Sequence, residues 1–141
     1  MVVINQLRSL RADARGATAV EFALVVPLIV LLFVGMAFFA LVLSMYSALQ
    51  QISAEAARAA LPGLTPAQQS QLATQYVNNT ISSYGFLNPN DLTVTTTSGS
   101  TTFQVTLAYT PTGSYFPSFG KYLPAAPALI TRSATIQLSG Y

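Results

Sequence analysis

The sequence predicts an α+β chain: a long N-terminal membrane-spanning helix, a second helix, and a small antiparallel sheet of about three strands. Three observations carry that reading. From Phe22 to Leu49 no charged residue occurs across 28 positions, so a helix there is ~42 Å long and outlasts the ~30 Å hydrocarbon core of a bilayer. The run is apolar on every side, whereas a helix lying on a soluble core keeps a polar face. Thr65-Pro66-Ala67-Gln68 then spells a helix start: threonine caps, proline suits the first helical position, and glutamine three residues on completes a capping box. From Leu92 the pattern changes to threonine alternating with apolar residues, the period of a half-buried strand.

Composition bounds the function. Of 141 residues 52% are hydrophobic and 7% charged, far from a disordered acidic or basic chain. The net charge of +2 sits at the start, where Arg8, Arg11 and Arg15 face only Asp13. After Gly16, Arg58, Lys121 and Arg132 balance Glu21, Glu55 and Asp91. No basic patch is left to track phosphates, which argues against nucleic acid as a partner. With no cysteine and no histidine, disulfides, thiolate metal sites and the commonest general base are all missing. Hydroxyls abound, but a serine or threonine nucleophile needs a base within reach. Asp91 with Lys121 has no spacing that supports a Ser-Lys type of site. The chain therefore reads as no enzyme, with no cofactor, metal or small-molecule substrate.

Residues 1–16 form a basic leader in which Val2, Val3, Ile4, Leu7 and Leu10 could line a short amphipathic helix or simply flank the span. Either way the positive charges hold the N-terminus in the cytoplasm and place the C-terminal part outside. A secretory signal has an apolar core of only ~7–15 residues, shorter than this run. Residues 17–61 form the transmembrane and spine helix. Pro27 within it removes the bond to the Ala23 carbonyl and predicts a kink, read either as a change of tilt or as a weak point in the helix. Ala37, Ala40, Ser44 and Ser47 recur at spacings of three and four beside Gly35 and place small side chains on one stripe, where helix backbones approach closely in lipid. Polarity returns with Gln50, Gln51, Ser53, Glu55 and Arg58, the last two spaced to pair, and Pro62-Gly63 ends the helix.

Residues 62–141 make a small extracytoplasmic α+β domain. Its helix shows Leu72, Tyr76, Val77 and Ile81 roughly on one face and ends near Ser83, before Gly85. Asn78-Asn79-Thr80 matches a glycosylation sequon but falls inside that helix. Leu92 and Val94 share one side of a hairpin with Phe103, Val105, Leu107 and Tyr109, across a turn at Ser98-Gly99-Ser100. Residues 110–128, with four prolines and Tyr115, Phe116, Phe119 and Tyr122, form a long connection that either binds a partner or covers the sheet. In the last strand Ile130, Arg132, Ala134, Ile136 and Leu138 share a side, so Arg132 belongs at the sheet edge or pairs with Asp91, since a free buried arginine is too costly.

Gly16-Ala17-Thr18-Ala19-Val20-Glu21-Phe22, after basic residues and before an apolar helix, resembles the class III signal of type IV prepilins. The wording RGATAVEFALVVPLIVLL is most similar to TadE-like pseudopilins of tight-adherence (Tad/Flp) pilus systems. The likeness covers residues 8 to about 60, and the remainder only in general layout. It implies cleavage by a membrane prepilin peptidase between Gly16 and Ala17, and recognition and assembly roles for Glu21 and Phe22. It also implies an inner-membrane, single-pass protein that works with other pilins, pseudopilins and platform proteins, with possible entry into the extracellular pilus. The role implied is a minor pseudopilin in pilus assembly or priming. Two alternatives stand beside it: an unprocessed single-pass membrane protein with a surface binding module, and a major pilin, though major subunits of these systems are usually much shorter. Ala17 replaces the phenylalanine that many type IV pilins carry at the first mature position, which puts N-methylation in doubt. The cysteine-stapled loop of many pilin heads is missing too.

Overall fold

The computed structural model describes residues 14–111 and 127–138. Helix α1 runs from Ala14 to Ala59 and helix α2 from Pro66 to Ile81. A 3-10 turn at Pro89–Asp91 leads into strand β1, Leu92–Ser98. Strands β2, Thr102–Tyr109, and β3, Ile130–Gln137, complete an antiparallel sheet of order β1-β2-β3. The predicted α+β architecture is thus the observed one. By contacts the chain divides into two compact units, one ending at Phe39 and the other beginning at Ala40. The predicted leader helix and the connecting segment around Tyr115, Phe116, Phe119, Lys121 and Tyr122 lie outside the described residues.

In the first unit α1 carries a largely exposed apolar surface. Phe22, Leu24, Leu28, Leu31, Phe33, Met36 and Phe39 are all exposed. The helix is continuous through Pro27.

In the second unit the same helix changes character. From Val42 onward it buries one face: Val42, Met45, Leu49, Ile52, Ala56 and Ala60 recur at three- and four-residue spacing, flanked by Ala48, Ser53 and Ala57. The opposing core comes from Phe103, Val105, Leu107 and Tyr109 of β2 and Ile130 of β3, with Ala73, Val77 and Ile81 of α2. The apolar run of the sequence is therefore shared. Its last eight residues already supply core side chains, where the uncharged stretch had suggested one uniform membrane segment.

Short hydrogen bonds join the elements. The capping box of α2 is formed in both directions, with the Gln68 N–H donating to the Thr65 hydroxyl at 3.3 Å and the Thr65 N–H to Oε1 of Gln68 at 3.2 Å. The turn after α1 is tight because Gly63 faces the start of α2. A Cβ at Gly63 would lie 2.7 Å from the Gln69 nitrogen, while the buried Gln69 amide donates to the Gly63 carbonyl at 3.1 Å. The buried face of α2 is Gln69, Ala73, Val77 and Ile81. Val77 and Ile81 are buried as expected, whereas Leu72 and Tyr76, expected on the same face, are half-buried. The helix stops at Ile81, with Ser82 as its cap. The Tyr109 hydroxyl accepts from the Asn88 N–H at 3.1 Å. Burial pushes its pKa up, the Asn88 bond opposes this in part, and the nearby Asp91 charge adds to the rise.

Alternation in the sheet is strict. Phe103, Val105, Leu107 and Tyr109 point inward, and the outward positions of the three strands hold no charge. In register these are Thr95, Thr106 and Ser133, flanked by Thr93, Ala108 and Thr131 on one side and by Thr97, Gln104 and Thr135 on the other. Arg132 lies on the inner side of the edge strand β3. Its guanidinium carbon stacks 4.6 Å above the Tyr46 ring of α1, so its contact is an aromatic face in place of the carboxylate of Asp91 considered from sequence. Next to it, the Gln50 amide donates to the Ser133 carbonyl at 3.4 Å and ties α1 to β3.

Phe103→Ala should destabilise the domain by about 3–5 kcal/mol, the usual cost of emptying a buried aromatic site. Thr95→Ala on the outer face should change stability by no more than about 0.5 kcal/mol. Thermal unfolding of the detergent-solubilised full chain distinguishes the two.

Candidate functional site on the N-terminal helix

The residues singled out in the sequence lie on one exposed helix. α1 is helical from Ala14 on, so the Gly16–Ala17 peptide lies within the helix. Gly16 is exposed, with nothing within 4 Å of where a Cβ would stand. An extended backbone at this point costs glycine no side-chain clash.

Glu21 and Phe22 are also exposed. No acidic residue lies in the first turn, so Glu21 falls beyond the reach of the helix-start dipole, whose effect fades within one turn. That disfavours reading it as a first-turn cap in the uncut chain. Positions 17 and 21 are four apart, the spacing at which helix neighbours meet.

Ala37 in the first unit, and Ala40, Ser44 and Ser47 in the second, are each exposed. The Ser44 hydroxyl donates to the Ala40 carbonyl at 2.8 Å. With its proton used inside the helix, Ser44 presents a small, low-profile surface. Further along, Arg58 and Glu55 form the expected pair at 3.1 Å. Both are well exposed, and such a pair contributes little.

Among the described residues, one helix is long and apolar enough to cross a membrane, within Thr18–Ala59. Among the same residues, no group of three metal-binding side chains converges. The contacts missed from sequence are the Tyr46–Arg132 stack and the Gln50 tie. The signal for them was the parity of Arg132 in β3, which put a cation on the inward side, but no sequence feature named its partner.

Compared with known families, residues 16–58 match the model described as TadE-like protein. Over that segment the chain is similar to the TadE-like family. The match opens at Gly16 and closes at Arg58, taking in Glu21, Phe22, Pro27 and the small-residue stripe while leaving the sheet outside. No curated protein and no solved structure matches the chain. The TadE-like segment supports involvement in a Tad pilus, and its apolar helix is compatible with a single-pass membrane protein.

The chain has no cysteine of its own, so single cysteines report cleanly on contacts of this helix. If the small stripe is a packing surface, Ala40→Cys and Ser44→Cys should give higher-mass adducts on oxidation in cells carrying the pilus apparatus. Phe39→Cys, on another side of the helix, should give few. Equal adducts at all three positions would remove the stripe as a surface.

Proposed function

We propose that the chain is a minor pseudopilin of a tight-adherence pilus, made as an inner-membrane precursor and trimmed by a prepilin peptidase between Gly16 and Ala17. The observation that carries this reading is the TadE-like match beginning at Gly16, on a helix whose following surface is apolar and largely exposed. Arg8, Arg11 and Arg15 keep the start of the chain in the cytoplasm, and the sheet domain lies on the other side. Cleavage frees a positive amine at Ala17. Glu21, one helical turn on, meets that amine in its own chain or in a neighbouring subunit and sets the register of packing. A carboxylate held in the apolar layer carries an insertion cost of up to ~3 kcal/mol, and this pairing offsets it. Pro27 leaves the Ala23 carbonyl without its usual donor and gives the helix a point of bending as it moves from bilayer to subunit contacts. The partners are other pilins or pseudopilins and the platform proteins of the inner membrane.

The alternative is an unprocessed single-pass protein with a surface binding module. One observation favours it: the outer sheet face, a row of threonine and serine hydroxyls around Thr95, Thr106 and Ser133 with no charge. A major pilin is the lesser alternative.

Co-expression with the cognate peptidase decides between the first two. Mass spectrometry should find a mature chain starting at Ala17, and Gly16→Val should leave the full-length precursor. An uncut wild-type chain favours the surface-module reading. Glu21→Gln keeps size and hydrogen bonding but removes the charge. The variant should be cut and membrane-resident yet fail to support piliation, and normal pili in that strain would leave Glu21 without an assembly role.

A further inference from the structure

Where α1 passes from exposed to half-buried, its surface and β3 enclose an open groove of about 630 Å³, lined by Leu43, Tyr46, Ser47, Gln50, Gln51 and Arg132 among others. Arg132 is the one charged residue in that lining. Among the described residues the salt bridge is Arg58 with Glu55, and Arg132 is held instead over Tyr46. Stacking on a ring occupies the flat face of a guanidinium and leaves the N–H groups at its rim, the donors that grip carboxylate or phosphate oxygens two at a time. The Gln50 bond to the β3 backbone fixes the distance between the groove walls.

Position along the sequence selects the ligand. About 20 helical residues cross the hydrocarbon core, and counting from Phe22 they end near Leu41. Leu43, 52% exposed, is then at the edge of the acyl layer. Tyr46, Ser47 and Gln50 follow within about 12 Å at helical rise, the depth of the headgroups, where tyrosine rings collect and long cations reach outward. The groove thus offers an apolar wall toward the lipid tails and a single cation with amides and a hydroxyl at the height of the phosphates.

We infer that this groove binds the headgroup of an anionic phospholipid from the extracytoplasmic leaflet, with the phosphate on the Arg132 guanidinium and the first acyl carbons along Leu43. The inference rests on the membrane reading of α1. Bound lipid seals the junction where the helix leaves the bilayer and fixes the height of the sheet domain above the membrane.

The test uses the full-length chain in nanodiscs of mixed phosphatidylglycerol and phosphatidylcholine, with retained lipids measured by native mass spectrometry. The wild type should retain phosphatidylglycerol preferentially. Arg132→Gln should lower that preference roughly tenfold, the effect of losing one charge-assisted contact. Arg132→Lys, which keeps a point charge without the fork, should fall between, and Arg58→Gln should match the wild type. Circular dichroism checks that each variant is folded. Unchanged phosphatidylglycerol preference in Arg132→Gln overturns the site while leaving the membrane reading standing. Displacement of the lipid preference by inorganic phosphate also overturns it, in favour of a free-anion site. A wild-type chain that fails to enter nanodiscs at all overturns both.

Discussion

Read as a membrane span, one continuous helix here has to satisfy two solvents. An apolar residue facing lipid needs no protein partner, because the hydrocarbon tails are as apolar as the side chain itself. An apolar residue facing water must be covered, at a gain of about 25 cal/mol per Å² removed from solvent. Up to about Leu41 α1 shows apolar side chains all round; from Val42 it buries one face and turns polar residues outward on the other. The switch falls inside the uncharged run, just before its serines at Ser44 and Ser47 and well before the amides at Gln50 and Gln51. Everything else in the second unit follows from that buried face. The sheet needs only one apolar side because α1 and α2 supply the rest of the core, and its outer side is free to be threonine, serine and glutamine.

Helix α1, the capping box at Thr65 and Gln68, and the hairpin from Leu92 to Tyr109 were all legible in the sequence, because each rests on local chemistry: apolar length, a side chain reaching a free N–H, and strict alternation. The Glu55–Arg58 pair was legible for the same reason. The division of the apolar run was not, since Val42, Met45 and Leu49 look the same whether lipid or Phe103 lies beside them. On α2 Val77 and Ile81 are buried as read from sequence, but Ala73 and Gln69 complete that face where Leu72 and Tyr76 had been expected. Small residues let the helix approach β1, where the Thr96 hydroxyl donates to that of Ser70 at 2.9 Å. Gln69 is buried because its amide is used by Gly63, a contact set by a turn and invisible to periodicity.

The candidate site was legible in a different way. Gly16, Glu21 and Phe22 stood out through resemblance, and the TadE-like match covers them. The structure adds that Gly16 stands exposed, with open space where a side chain would be. Arg132 was flagged by the cost of burying a cation, which correctly demanded a partner. The partner is an aromatic face from a helix 86 positions earlier in the chain, and long-range pairing of that kind leaves no trace in local pattern.

The division of α1 between lipid and core is the central claim, and cysteine accessibility along the helix tests it directly. Single cysteines from Phe22 to Ala60 in the membrane-inserted chain would be exposed to a water-soluble maleimide. The account predicts uniform protection to about Leu41 and a helical period thereafter, with Ser47, Gln50 and Gln51 labelled and Met45, Leu49 and Ile52 protected. Uniform protection continuing through Leu49, or a labelling period already present before Leu41, would contradict it.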